Sequence, residues 1–327
     1  MIFDGFRVLL DDEAKPEFLA AYTNGGTVMF ELKGIYCPIA TPFINNEIAY
    51  DKLDENLAFW TASKLEGITV MGSNGEFVSL RENEKETLIR HCGKTIAGKK
   101  RFVVGTGSNC MDETLHLCNV SADCGADAVL LVTPFYYKGA MKDDVLERYY
   151  TAVADRSPLP VIIYNMPANT GVNTSSQLLA KLSHHPNIVG VKDTSGNIVQ
   201  ITETIRDSAP GFSVLAGNWA FLLTSLYMGA KGGTLALSNI LPNECAELIE
   251  LFEAGKAEEA KQLAWRLMPV NAAVTTKYGI GGLKVAMDYV GLYGGEPRLP
   301  LCRPGAEVRE YIRSTLVNAG VAVRDID

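Results

Sequence analysis

The chain has 327 residues, 47% hydrophobic and 21% charged, which is enough for one large domain or two ordinary ones without a stabilising disulfide or metal. Its net charge of −8 argues against nucleic acid as the main partner, and no apolar run approaches the ~18 residues of a membrane span. Seven cysteines without a Cys-x-x-Cys pair indicate reduced thiols and predict a cytoplasmic protein. Residues 1–33 resemble neither a transit peptide nor a secretory signal, and they are predicted to form an N-terminal extension.

From Gly34 onward, short apolar runs alternate with polar turns and amphipathic stretches. The eight runs are Gly34–Ala40, Gly67–Gly72, Arg101–Gly105, Ala128–Thr133, Pro160–Tyr164, Ile188–Lys192, Phe212–Gly217 and Gly232–Leu237. Uninterrupted Val, Ile and Leu are typical of parallel strands buried on both faces. Eight such strands with eight helices predict an α/β fold, a (β/α)₈ TIM barrel over residues 34–254, with a doubly wound open sheet as the alternative.

Helix signals complete this interpretation. Ser79 followed by Glu82 predicts a capping box, and Asn173 or Thr174 is a candidate cap for a later helix. After Leu241 only helical patterns remain, at 244–253, 257–274, 283–289 and 306–317, with a glycine-rich break at 279–282. The first of these closes the barrel, and residues 255–327 are predicted to form a small C-terminal helical domain.

In a TIM barrel the reactive residues follow the C-terminal ends of the strands. At those positions the sequence has neither His nor a pair of carboxylates. The four histidines lie in predicted helices or just before Pro186, without the spacing of metal ligands. We therefore predict no metal site and no Ser-His-Asp hydrolase chemistry.

Lys192 ends the sixth predicted strand, directly after Ile188–Val191. A charged amine at the end of a buried strand is costly, so burial favours the neutral, nucleophilic form. Tyr164 ends the preceding strand and places a phenol beside that amine, as carbonyl capture as a Schiff base requires. The alternative is a lysine that reaches solvent or pairs with Asp193.

Two glycine-rich segments are candidate anion sites. In Gly72-Ser73-Asn74-Gly75-Glu76, a strand-to-helix turn can direct backbone N–H groups at a carboxylate, although the motif alone also fits a plain tight turn. The glycines of 229–233 precede the last strand and so lie at the wrong end of the barrel for a phosphate site.

Four segments together resemble the dihydrodipicolinate synthase / N-acetylneuraminate lyase family, from about Gly34 to Leu301. They are Gly34–Phe43, Gly72–Glu76, Tyr164–Gly171 and Gly190–Thr194. The resemblance implies a TIM barrel with a helical C-terminal domain, usually a homotetramer. It also implies a class I aldolase that forms a Schiff base with pyruvate, a small 2-oxo acid, and uses no cofactor.

Residue by residue, the resemblance assigns the candidate site. Lys192 resembles the Schiff-base lysine, Tyr164 the proton-transfer tyrosine, and Tyr136 the tyrosine that a neighbouring subunit inserts into the relay. Ser73 and Asn74 match the residues that hold the pyruvyl carboxylate. Asn169, Thr194 and Thr234 are the further predicted substrate-binding residues.

Two differences from dihydrodipicolinate synthase narrow the range of reactions expected for this chain. Dihydrodipicolinate synthase has Thr-Thr in place of Ser73-Asn74, and an amide cannot relay a proton as a hydroxyl does. It also has an Arg at the position of Asn169, which clamps the carboxylate of aspartate semialdehyde. The combination instead resembles 4-hydroxy-2-oxoglutarate aldolase, as do Asn271–Thr275 and the glycine motifs after it.

Cleavage of 4-hydroxy-2-oxoglutarate to pyruvate and glyoxylate is therefore the predicted reaction. The nearest alternative is dihydrodipicolinate synthase itself, and sialic-acid or keto-deoxy-sugar lyases follow. An alternative of another class is a non-catalytic pyruvate-binding or scaffolding barrel, which has no evident need for both Lys192 and Tyr164.

Overall fold

The computed structural model describes residues 30–326. Within them, eight parallel strands form a closed barrel: β1 Gly34–Pro38, β4 Gly67–Val70, β5 Arg101–Gly105, β6 Ala128–Val132, β7 Val161–Asn165, β8 Ile188–Asp193, β9 Ser213–Ala216 and β10 Gly232–Thr234. Their order around the barrel is β1-β10-β9-β8-β7-β6-β5-β4. The predicted TIM barrel is confirmed, and the open-sheet alternative is wrong because β1 pairs with both β4 and β10.

Helices follow each barrel strand. They are α1 Tyr50–Ala62, α2 Glu82–Ile96, α3 Met111–Asp123, α4 Asp143–Ala154, the short α5 Pro167–Thr170, α6 Ser176–Leu182, α7 Ile198–Asp207, α8 Leu222–Met228 and α9 Pro242–Glu253. Beyond the barrel come α10 Ala257–Ala272, α11 Gly279–Tyr289 and α12 Ala306–Asn318. The division of the chain at 33/34 and 254/255 stays a prediction, and residues 1–29 of the proposed extension lie outside the described residues.

A small antiparallel hairpin after β1 was not anticipated. Its strands, β2 Phe43–Ile44 and β3 Glu47–Ile48, are joined by Asn45 and Asn46, both with positive φ. Asparagine tolerates this left-handed conformation better than most residues, so an Asn-Asn pair suits the tight turn. Strands of two residues are too short to produce an alternating pattern in the sequence.

Two predicted helix caps are wrong. Helix α2 begins at Glu82, and the backbone N–H of Arg81 donates to Glu84 Oε2 at 2.8 Å, while Ser79 ends a 3-10 turn before it. Helix α6 is capped by Ser175, whose hydroxyl accepts from the N–H of Leu178 at 3.1 Å. In α6 the capping hydroxyl thus comes from the residue directly before the helix, whereas in α2 a glutamate of the first turn accepts from the residue before the helix.

Residues 279–282, the glycine-rich segment, form the first turn of α11, and the predicted break between helices falls at its start, where Tyr278 is not helical and Gly279 has φ 55°. A Cβ on Gly281 would come within 2.4 Å of the carbonyl oxygen of Cys302, and one on Gly282 within 2.6 Å of the Tyr278 side chain. Gly281 and Gly282 therefore permit close packing of α11 against its neighbours. A π-helical turn, Ala273–Lys277, joins α10 to α11.

Two features of residues 30–326 bear on other function classes. No helix between residues 30 and 326 is both long and apolar enough to cross a membrane. In the same part of the chain no group of three His, Cys, Asp or Glu side chains is arranged to hold a metal ion.

A buried ion pair ties α2 to the segment before α12. Arg298 donates to both carboxylate oxygens of Glu84 at 2.6 Å, and both side chains are almost fully buried. These hydrogen bonds hold the pKa of Glu84 below its usual range. A carboxyl group whose pKa is lowered on folding stabilises the fold above its unfolded pKa and loses that contribution as the pH falls through its folded pKa.

We expect Glu84→Gln to lower the free energy of unfolding by about 3–5 kcal/mol at pH 7, because it leaves the Arg298 guanidinium buried without its carboxylate. Urea unfolding of both proteins at pH 7 and at progressively lower pH measures this. The difference should shrink in acid, where Glu84 of the wild type is itself protonated. A difference that stays constant with pH would contradict the role given to the carboxylate.

Candidate active site

A cavity of about 730 Å³ opens at the C-terminal ends of the barrel strands. Its lining includes seven of the eight residues singled out from the sequence: Ser73, Asn74, Tyr164, Asn169, Lys192, Thr194 and Thr234. Residues from the end of α10, the π-helical turn and the start of α11 line it as well. Among the described lining residues Lys192 is the only Asp, Glu, Lys, Arg or His, so the cavity wall is largely neutral apart from one amine.

Strand register brings Lys192 and Tyr164 together. They are direct partners in the parallel pairing of β7 and β8, and each side chain is 4% exposed. Lys192 Nζ lies 4.0 Å from the centroid of the Tyr164 ring. The phenol and the amine are therefore neighbours at the floor of the cavity, as the sequence predicted.

Lys192 does not pair with Asp193. No carboxylate lies within ion-pair distance of its Nζ among residues 30–326, and successive residues of a strand point to opposite faces. The Asp193 carboxylate instead accepts hydrogen bonds from Asn165 Nδ2 at 3.0 Å, Gln200 Nε2 at 3.1 Å and Ser195 N at 2.7 Å. The alternative interpretation of Lys192 as an ion-paired or solvent-reaching lysine does not fit this environment.

Behind the two strands a buried polar network holds their ends in place. Asn165, fully buried, donates to both Asp193 and Asn173, and its Oδ1 accepts from the N–H of Thr174 at 3.0 Å. Gln200 of α7 bonds to Asn173 and Asp193 as well. A fully satisfied network of this kind rigidifies the backbone that carries Tyr164 and Lys192. The sequence predicted no role for Asn165 or Gln200, and it offered Asn173 only as a candidate helix cap.

The loop after β4 brings Ser73 to the same floor. Ser73 Oγ lies 3.3 Å from Tyr164 Oη, so the hydroxyl and the phenol can exchange a proton. Residues Ser73–Gly75 form a 3-10 turn, and Asn74 Nδ2 is buried without a partner among the described residues. An unpaired buried donor is costly, which points to a ligand acceptor at this position.

Thr194 and Thr234 line the cavity beside this floor. Thr194 Oγ1 is buried and has no hydrogen-bond partner in the described structure. A Cβ on Gly217 would lie 1.9 Å from that oxygen, so the glycine makes room for Thr194. Thr234 is 3% exposed in β10. Both threonines offer hydroxyl groups to a bound ligand.

Two predicted residues stand apart from the floor. Asn169, in α5, is an exposed residue that lines the cavity, where its neutral amide offers no charged clamp. Tyr136 does not line the cavity of this chain and is 73% exposed, with its ring edge-on to Tyr137. Its backbone N–H donates to Asn109 Oδ1 at 3.0 Å. Insertion of Tyr136 into a neighbouring subunit stays a prediction.

An amide pair for which the sequence predicted no role lines the far wall. Asn218 Oδ1 accepts from the N–H of Ala220 and from Asn271 Nδ2, both at 2.9 Å. Because the backbone donor fixes Asn218 Oδ1 as the acceptor, Asn271 must present its Nδ2 and leave its Oδ1 unpaired. That buried Oδ1 has no partner in the described residues. Asn271 appeared in the sequence only as part of a family motif, 53 positions from Asn218.

A closed barrel with a buried lysine at a strand end, a phenol beside it and a hydroxyl-bearing loop defines a class of enzyme, the Schiff-base aldolases. The family model described as the dihydrodipicolinate synthetase family matches residues 31–319. The chain belongs to this family, and it is a class I pyruvate aldolase, a lyase.

Individual relatives carry two different reactions in their names. The 4-hydroxy-tetrahydrodipicolinate synthase of Methanocaldococcus jannaschii is 32% identical over 88% of this chain and 99% of the relative. A probable mitochondrial 4-hydroxy-2-oxoglutarate aldolase of Emericella nidulans is 35% identical over 84% of this chain and 90% of the relative. The crystal structure of a dihydrodipicolinate synthase from Bacillus anthracis, 31% identical, superposes with a TM-score of 0.85 over 88% of this chain and 99% of that one.

Proposed function

We propose that this enzyme cleaves 4-hydroxy-2-oxoglutarate to pyruvate and glyoxylate, with Lys192 as the nucleophile. The observation that carries the proposal is the cluster at the cavity floor. It consists of an amine without a counter-ion among the described residues, a phenol paired with it in register, and a serine hydroxyl 3.3 Å from that phenol.

In the first step the neutral Nζ of Lys192 attacks the C2 carbonyl of the substrate to give a carbinolamine. Protonation of the carbinolamine hydroxyl and loss of water then leave an iminium ion. Ser73, the free Nδ2 of Asn74 and N–H groups of their loop hold the C1 carboxylate. Thr194 and Thr234 contribute further hydroxyl groups to this end of the cavity.

Carbon–carbon cleavage follows from the iminium. Tyr164 relays the proton from the 4-hydroxyl toward Ser73, the C3–C4 bond breaks, and its electron pair forms the enamine as glyoxylate leaves. Protonation at C3 and hydrolysis of the imine then release pyruvate and restore the amine. In this proposal Tyr136 of a neighbouring subunit extends the proton relay. The active enzyme is proposed to be a cytoplasmic homotetramer.

The distal half of the cavity supports cleavage over condensation. No arginine lines the described cavity, and Asn169 stands where the synthases have their clamp. Condensation must capture a free aspartate semialdehyde by non-covalent contacts alone. In cleavage the distal carbons are already attached to Lys192 through C2 when the bond breaks, so neutral amides such as Asn169 and Asn218 suffice for orientation.

The second candidate is condensation of pyruvate with aspartate semialdehyde, the dihydrodipicolinate synthase reaction. Relatives including that of M. jannaschii carry the name 4-hydroxy-tetrahydrodipicolinate synthase. The two are distinguished by measuring glyoxylate release from 4-hydroxy-2-oxoglutarate and condensation with aspartate semialdehyde on one enzyme preparation. We expect the larger kcat/KM for glyoxylate release. Faster condensation would overturn the proposed specificity while leaving the aldolase class intact.

Asn169→Arg should raise kcat/KM for condensation about tenfold or more, because a charge-assisted hydrogen bond to the semialdehyde carboxylate contributes roughly 1.5–3 kcal/mol. The matched control is Asn169→Gln, which lengthens the side chain without adding charge. Steady-state condensation assays compare both with the wild type. Equal rates for the Arg and Gln variants would show that position 169 does not set the choice of aldehyde.

A further inference from the structure

The loop that carries Ser73 and Asn74 ends in a residue under unusual constraint. Glu76 has φ 55°, a left-handed conformation that costs a non-glycine residue free energy and persists only where its surroundings impose it. Its side chain does not line the cavity and is fully buried behind the loop. The local sequence does not explain why a glutamate occupies this position.

The Glu76 carboxylate is held at both oxygens by the C-terminal part of the chain. Oε1 lies 2.6 Å from Lys284 Nζ, and both of these side chains are completely buried. Oε2 accepts from the backbone N–H of Arg298 at 2.8 Å. Lys284 Nζ also donates to the carbonyl oxygen of Glu296 at 3.1 Å and lies 4.5 Å from the centre of the Phe43 ring.

This ion pair connects two walls of the cavity. Lys284 belongs to α11, whose first residues, Gly279 and Ile280, line the cavity little more than one turn before it. Glu76 directly follows the turn Ser73–Gly75. The pair therefore fixes the position of the candidate carboxylate-binding loop relative to α11.

We propose that Glu76 and Lys284 are positioning residues that set the geometry of the carboxylate-binding loop, an inference that rests on the proposed binding of pyruvate by Ser73 and Asn74. A buried ion pair adds little stability compared with well-packed apolar residues of similar volume. It does fix the relative position of its two side chains, because a buried charge that moves away from its partner is left unpaired at a high cost in free energy. Loss of the pair loosens the loop by a fraction of an ångström, which is enough to weaken a site that depends on precise orientation.

The test uses a double variant, Glu76→Gln with Lys284→Met, which removes both charges and leaves no buried charge unpaired. The amide introduced at position 76 still offers an oxygen to the N–H of Arg298. The matched control is Asp288→Asn with Arg303→Met, which neutralises the partly buried ion pair, 2.6 Å apart, between Asp288 of α11 and Arg303 beyond it. Neither residue has a hydrogen bond or ion pair to Ser73–Glu76 among the described residues. Each protein is titrated with pyruvate and reduced with borohydride, and the adduct on Lys192 is quantified by mass spectrometry.

We expect the pyruvate concentration for half-maximal trapping to rise about tenfold or more in the Glu76/Lys284 variant and less than about twofold in the control. Urea unfolding of the Glu76/Lys284 variant and of the control shows whether weaker pyruvate binding reflects a displaced loop or a less stable protein. A Glu76/Lys284 variant with wild-type half-saturation would overturn the inference. Wild-type enzyme that forms no adduct would overturn the proposed function, and this inference with it.

Glu76→Asp keeps the charge and tests the same idea if the double variant does not fold. Shortening the side chain by one methylene displaces the loop or lengthens the contact with Lys284. We expect a raised half-saturation for pyruvate in this variant too. An unchanged value would contradict a positioning role for Glu76.

Discussion

Replacement of Lys192 by alanine should lower kcat for cleavage on the order of 10⁴-fold or more, because no imine with the substrate can form without this amine. Lys192→Arg should lose activity to the same extent, since arginine is permanently charged and has no nucleophilic amine. Single-turnover measurement of pyruvate release, with enzyme in excess, makes the residual rate accessible.

Stability distinguishes this chemical loss from unfolding. Lys192 is 4% exposed and has no ion-pair partner among residues 30–326, so Lys192→Met should unfold at a urea concentration equal to or above that of the wild type. Lys231→Ala is the matched control for activity, because Lys231 is exposed and immediately precedes β10, at the opposite end of the barrel. Full turnover in Lys192→Ala would refute the proposed nucleophile.

Tyr164→Phe should lower kcat about 10²- to 10⁴-fold, the usual contribution of a positioned proton-transfer group. The substitution removes only the Oη that lies 3.3 Å from Ser73 Oγ and keeps the ring beside Lys192. Pyruvate should still become attached to Lys192, although more slowly. Steady-state cleavage and the time course of adduct formation measure the two effects separately.

Tyr150→Phe is the matched control for this variant. Tyr150 is fully buried and donates a hydrogen bond to Thr133 Oγ1 at 3.2 Å, but it does not line the cavity. Loss of its hydroxyl should change stability rather than turnover. If Tyr150→Phe and Tyr164→Phe lowered kcat equally, the relay through Tyr164 would have to be abandoned.

The barrel was predictable because its strands are buried on both faces, so each reads as an unbroken apolar run. The ends of these apolar runs predicted the ends of the strands less reliably. The last run extends to Leu237 in the sequence, whereas β10 stops at Thr234 and Ala236–Asn239 form a 3-10 turn. Such a turn buries Leu237 as completely as a strand would, and apolar composition alone does not separate the two.

Lys192 and Tyr164 were predictable as neighbours for a related reason. Both end strands that adjoin in a barrel, so position in the sequence fixes their proximity once the fold is known. Asn271 and Lys284 lie on helices beyond the barrel, where no regular repeat relates them to the strand ends. Their contacts with Asn218 and Glu76 span 53 and 208 positions and depend on how those helices pack.

Every step of the proposed reaction depends on the covalent link between Lys192 and a 2-oxo acid. Incubation with pyruvate and borohydride, followed by intact-mass measurement and peptide mapping, tests it directly. We predict one reduced pyruvyl adduct per chain, located on Lys192 and absent from Lys192→Met. An unmodified protein, or an adduct that maps to another lysine, would contradict it.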